Sequence, residues 1–193
     1  MKTNILLAGV GGQGILTIAA ILDTAAIQQD LNVKQSEIHG MSQRGGAVHS
    51  HVRIADEEIF SDLIPQGKAD LILSVEPMEL LRYLPFLRED GWLITDSKSF
   101  DNILDYPDEV ALLNEIKAHK NAIVLDATKI AKELGNSKAA NIVLLGAASS
   151  KIPIPEKSLL DAIKSLFSKK SERIIKLNID AFYKGKEMVE IQV

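Results

Sequence analysis

The sequence predicts an α/β fold: a wound, mostly parallel sheet with helices on both faces and an added antiparallel hairpin. Three observations carry that reading. Short, predominantly apolar runs such as NILLAG (4–9), ADLILS (69–74), GWLITD (91–96) and AIVLDA (122–127) have the length and continuity of strands buried on both faces. Stretches with apolar residues at helical spacing, or loops, follow them, and that alternation is the mark of helices covering a sheet. One segment, AVHSHVRI (47–54), alternates strictly instead, as a strand with two different faces does.

In chain order, Asn4 to Gly9 is a strand closed by glycine, and ILTIAAILDTAAIQQ after Gly14 is a helix. Asn32 to Gln35 suits a second strand, and HGMSQRGG (39–46) opens a loop that has no apolar period. In the alternating strand, Val48, Ser50, Val52 and Ile54 share one face, while His49, His51 and Arg53 share the other. The acidic tip Asp56-Glu57-Glu58 turns the chain toward Ile59-Phe60-Ser61, and those two runs are the expected hairpin. Pro77 begins a helix that extends through Phe86, because proline favours the first helical position. From Ala127 onward the chain reads mainly as helices, at 128–134, 139–148, 155–167 and 172–186, with Lys169 and Lys170 in a solvated connection.

The chain has 193 residues, which one domain spanning 1–193 accommodates with a substantial core. It is 46% hydrophobic and 25% charged, with 22 basic and 26 acidic residues, an ordinary globular balance that offers no basic field for nucleic acid. It lacks cysteine, so it forms no disulfide, thiolate nucleophile or cysteine-held cluster of its own. Four glycines and Gln13 interrupt the N-terminal apolar run and Asp23 follows, so neither a signal nor a membrane anchor is expected and the compartment expected is the cytoplasm.

Two glycine clusters hold the candidate chemistry. Gly9, Gly11 and Gly14 fit G-x-G-x-x-G between a strand and a helix, with Gly12 and Gln13 inside the turn. Glycine permits positive φ there, and the helix N-terminus behind it favours an anion. A tight turn that lets strand and helix pack closely needs the same residues, and both readings stand. Arg44, flanked by Gly45 and Gly46, offers a guanidinium fork suited to a phosphate or carboxylate; pairing with a rim acid is the other reading. Glu37, Glu76, Asp96 and Asp126 fall just past the C-terminal ends of strands, where open α/β sheets bind ligands, and four carboxylates there would repel a polyphosphate. His39, His49 and His51 have no clear fourth ligand, and no metal site is expected. Neither G-x-S-x-G nor G-x-x-x-x-G-K-[ST] occurs, which leaves hydrolase and nucleoside triphosphatase chemistry unsupported.

AGVGGQGILT (8–17), SEIHGMSQRGGAVHSHVRI (36–54), ADLILSVEPMELLR (69–82) and NIVLLGA (141–147) resemble the gamma-type subunits of 2-oxoacid:ferredoxin oxidoreductases, over nearly the whole chain. The likeness is greatest to the beta subunit of the indolepyruvate enzymes. The resemblance implies oxidative decarboxylation of a 2-oxoacid to an acyl-CoA in a complex. It also implies that thiamine diphosphate, magnesium and the iron–sulfur clusters sit on a catalytic partner subunit, that CoA is the acyl acceptor, and that ferredoxin is reached through the complex. It assigns this chain no catalytic residue and no cofactor of its own. Within that reading Gly11, Gly12, Gln13 and Arg44 are expected to line a surface that meets the catalytic subunit and helps shape its CoA or cofactor pocket, a contact role without any ligand being the alternative. The contrasting expectation is a free-standing NAD(P)-binding Rossmann oxidoreductase built on Gly9, Gly11, Gly14 and Glu37.

Overall fold

The computed structural model describes residues 1–40, 45–101 and 103–190. The chain runs β1 (Lys2–Val10), α1 (Ile15–Ile27), β2 (Asn32–His39), β3 (Ala47–Ala55), β4 (Ala69–Ser74), α2 (Pro77–Arg82), β5 (Leu87–Asp96), α3 (Glu109–Lys117) and β6 (Ala122–Leu125). Four helices complete it: α4 (Ala127–Glu133), α5 (Ala140–Ala148), α6 (Glu156–Leu166) and α7 (Glu172–Glu190). The sheet order is β2-β3-β1-β4-β5-β6, and β1, β4, β5 and β6 are parallel neighbours. β3 runs antiparallel to both β1 and β2, so it alone is reversed in the sheet.

Successive side chains on a strand point to opposite faces, and β1 fills two cores by that rule. Ile5 and Leu7 enter the larger one, where Ile18, Leu22, Leu144, Leu159 and Phe182 bring in α1, α5, α6 and α7. Leu6 and Ala8 enter the smaller one with Leu80 of α2 and Ile116 of α3. Both faces of the sheet are therefore covered by helices, as the apolar runs demanded. α5 is apolar all round because it lies between the sheet and α7, and every residue of ANIVLLGA from Asn141 on is buried. The two helices cross at glycines: a Cβ on Gly146 would lie 1.9 Å from the Phe182 carbonyl oxygen, and one on Gly185 1.8 Å from that of Val143. Among the described residues, no helix is long and apolar enough to cross a membrane.

The antiparallel hairpin is present, but its strands are not the expected ones. β3 pairs with β2, with Glu37 opposite Ser50 and His39 opposite Val48. Ile59, Phe60 and Ser61 form no strand, because the buried Arg53 takes that segment by its carbonyls: Nη1 donates to Ser61 O (2.7 Å) and Leu63 O (3.1 Å), and Nε to Asn4 Oδ1 (3.0 Å). The strand faces agree with the alternation, since Val48, Val52 and Ile54 pack in the larger core. α2 starts at Pro77 as expected but ends at Arg82, and a 3-10 turn covers Leu84–Phe86. Pro85 has no N–H and disfavours helical backbone in the residue before it, which breaks the α-helix there.

Candidate functional site

At the end of β1 the chain makes a turn that is closed from within. Gln13 N donates to Val10 O (3.1 Å), and the Gln13 side chain returns the bond by accepting from Val10 N (2.7 Å). Gly14 then starts α1 at φ 85, a left-handed conformation that a side chain would strain. Its carbonyl accepts from Asn141 Nδ2 (3.0 Å), so a 5% exposed asparagine of α5 holds the first turn of α1. Gly9, in β1 opposite Val48, leaves room for Val75, whose Cγ2 would sit 2.3 Å from an added Cβ.

The second glycine bend is bonded to this turn. Gly11 N donates to Gly46 O (2.9 Å), and Gly45 N donates to Gly11 O (3.4 Å). The turn of Gly11, Gly12, Gln13 and Gly14 is thus joined to Gly45 and Gly46 at the C-terminal ends of the parallel strands, continuing the β1–β3 ladder beyond the pair Val10 and Ala47, while Gly9 lies buried beneath it. Arg44 lies outside the described residues.

Two clefts flank the joined bends. One, of about 520 Å³, lies toward α4, α5 and α7 and is bordered by Gln13, Gly14, Asp96, Lys138, Asn141 and Asn178. The other, of about 500 Å³, has Val48 of β3 as its floor and Gly11, Leu16, Glu37 and His39 around it. Each has the capacity of a small-molecule site.

Three of the four rim acids are used in holding the rim together. Glu76 Oε2 caps α2 through Glu79 N (2.8 Å), while its Oε1 accepts from the Tyr106 hydroxyl and from Phe100 N (3.4 Å). Asp96 accepts from Lys98 N, Ala127 N and Thr128 N, each at 3.1 Å, and from Thr128 Oγ1 (2.6 Å). Asp126 caps α4 through Lys129 N (2.8 Å). Burial pushes the Glu76 and Asp96 carboxyls above the usual range, and these hydrogen bonds draw them partly back. Glu37 and Asp126 are the exposed members of the set, and Glu37 is the one not engaged in a cap.

This geometry weighs against the dinucleotide reading. That site needs amide donors turned toward a pyrophosphate, whereas the amides of Val10, Gly11 and Gln13 are all bonded within the protein. It also needs its acid on the strand beside β1. Here β3 stands between β1 and β2, which puts Glu37 two ladder spacings away, about 10 Å instead of about 5 Å.

The histidines have structural partners. His51 Nδ1 accepts from Ile64 N (3.1 Å), which fixes the Nε2–H tautomer, and His49 Nδ1 is 2.8 Å from the Tyr83 hydroxyl. Burial lowers the His49 pKa to about 4, helped by the neighbouring His51. His51 is lowered too, chiefly by burial, with Asp62 opposing and Arg53 adding to the shift. Among the described residues, no three histidines or carboxylates converge to hold a metal ion.

Sequence reasoning missed Asn141, which ties α5 to the glycine turn, and Tyr106, which binds the buried Glu76. A polar residue heading an otherwise apolar helical run was the available signal for Asn141. Nothing in the local sequence marks Tyr106.

The wound sheet with its two joined strand-end glycine bends is the fold of a pyruvate ferredoxin/flavodoxin oxidoreductase family member. Residues 4–188 match that family's description and the chain belongs to it. Within it, the chain is 38% identical to indolepyruvate oxidoreductase subunit IorB of Thermococcus kodakarensis, over 94% of this chain and 93% of that one. It is 35% identical to the subunit of the same name from Pyrococcus horikoshii, over 97% and 98%. A solved structure, the gamma subunit of a keto/oxoacid ferredoxin oxidoreductase from Geobacter sulfurreducens, superposes with a TM-score of 0.72 at 27% identity, covering 98% of this chain and 99% of the other.

Proposed function

We propose that this chain is a subunit of a CoA-dependent 2-oxoacid:ferredoxin oxidoreductase whose substrate is indolepyruvate or a related arylpyruvate, and that it is inert until it docks on a catalytic partner. The observation that carries the proposal is the 38% identity to an indolepyruvate oxidoreductase subunit along 94% of the chain. The net reaction takes CO2 and two electrons from the 2-oxoacid, joins the acyl carbon to the CoA sulfur, and gives the electrons to ferredoxin one at a time. Thiamine diphosphate with magnesium, and iron–sulfur clusters, supply the carbanion and electron chemistry; with no cysteine to hold a cluster, this chain fits the role of the subunit that carries neither.

The contribution proposed for this chain is a shaped, rigid wall. Gly11, Gly12 and Gln13 present a turn whose form is fixed by its own hydrogen bonds and by the bond to Gly46. Arg44 precedes Gly45 and Gly46 in the sequence, and the role proposed for its guanidinium is to bind an anionic group of CoA or of the substrate in the assembled complex. The test is Arg44→Ala in the assembled complex, with Michaelis constants for CoA and for a panel of indolepyruvate, pyruvate, 2-oxoisovalerate and 2-oxoglutarate. A raised constant for one anionic ligand supports the role. Unchanged constants with full activity refute it and leave a contact surface, and a preference for pyruvate would refute the substrate assignment alone.

A further inference from the structure

We infer that the described residues of the connection between β5 and α3, Phe100, Asp101 and those from Ile103 to Val110, are a clasp that docks onto a basic, apolar-floored surface of the catalytic subunit; this rests on the function proposed above. The segment leaves the same strand-end rim as the glycine bends, since β5 lies next to β4, and β4 next to β1. One buried atom pins it at two points. Glu76 Oε1 accepts from Phe100 N and from the Tyr106 hydroxyl, and Glu76 itself is fully buried and caps α2. The described residues between those points, Asp101 and 103–105, lie in a stretch fastened at both ends.

What this stretch offers to solvent is unusual for a chain that stands alone. Leu104 is 104% exposed, beside Phe100 (44%) and Ile103 (46%), and Val110 (64%) follows on the first turn of α3. Several exposed large apolar side chains along one short connection mark an interaction surface more than a solvated one. The intervening residues Asp101, Asp105, Asp108 and Glu109 are acidic, and Lys98, 3.9 Å from Glu109, is the nearby cation. An apolar ridge with an acidic border calls for a partner with an apolar groove and a basic border. Because the joined glycine bends occupy the same rim, one partner surface can cover both.

The test is assembly of the full chain with the catalytic subunit, using Leu104→Asp and the charge-reversed pair Asp101→Lys with Asp105→Lys. All three positions are exposed, and unchanged melting curves verify that the variants fold. Binding is followed by native mass spectrometry and by titration at low and high salt. Loss of affinity of about tenfold or more for Leu104→Asp, and a weaker salt dependence for the reversed pair, support the clasp. So does hydrogen-exchange protection of residues 100–106 on assembly. If the wild-type chain assembles and both variants assemble equally well, the clasp is overturned while the functional reading survives. If the wild-type chain fails to assemble at all, the functional reading is overturned and the clasp falls with it.

Discussion

Replacing Gly14 by alanine tests how the glycine turn is held. The residue sits at φ 85, and its added Cβ would meet Asn141 Nδ2 at 2.5 Å, so the substitution acts in two ways. Left-handed backbone costs an L-residue about 1–2 kcal/mol. The clash drives the Asn141 amide away from the Gly14 carbonyl, and losing a buried hydrogen bond and leaving its partners unsatisfied costs about 1–2 kcal/mol more. The expected loss is about 3 kcal/mol, which in a chain of this size lowers the melting temperature by about 6–12 °C. Asn141→Ala alone should cost about 2 kcal/mol, since its Oδ1 also accepts from Ile142 N. In the double variant the clash is gone and the lost bond counts once, so the total should fall short of additivity by about 1 kcal/mol. Urea unfolding of all four proteins measures the cycle. A Gly14→Ala protein within about 0.5 kcal/mol of the parent, or strict additivity, would refute the reasoning.

Other consequences follow from the same contacts. Gly185→Ala forces a methyl against the backbone of Val143, so α5 and α7 must part; after the gain of about 1 kcal/mol in helix propensity, a net loss of about 2 kcal/mol or more is expected in thermal melts. Asp23, on α1, has a carboxyl oxygen without a partner, and burial lifts its pKa from 3.8 to about 6. The native state therefore holds the proton more tightly than the unfolded chain between those values, and stability falls as pH rises through them. Asp23→Asn should then stabilise by about 1 kcal/mol above pH 6, a figure discounted for partial exposure, and lose that advantage below pH 4, as melting curves across that range would register.

Much of the fold was legible because burial leaves a plain mark. β1 and β4 are apolar on both faces, and their continuous runs mark them as buried central strands, while the short apolar run of β6 marks a strand that the sheet places at its edge. The two faces of β3 were legible from alternation alone. β2 was not, beyond Gln35, because an edge strand with solvent around it is held by backbone pairing and keeps polar residues such as Ser36, Glu37 and His39. Ile59 to Ser61 misled for the opposite reason, having strand-like residues in a segment where the Arg53 guanidinium takes the Ser61 carbonyl. The glycine contacts of α5 with α7 join positions far apart in the chain, and no local pattern announces them. At the site, the glycines were visible and so were the rim acids. What could not be read was that Glu76, Asp96 and Asp126 serve as caps, because a cap and a ligand-binding acid occupy the same place in a strand–helix connection.

The central claim is that this chain works only as part of a partner-completed enzyme. The direct measurement is CoA-dependent ferredoxin reduction with indolepyruvate, on the purified catalytic subunit, on this chain, and on the two after mixing. The account predicts turnover in the mixture and none from this chain alone. Full activity of the catalytic subunit without it, or nicotinamide-dependent turnover by this chain in isolation, would contradict it.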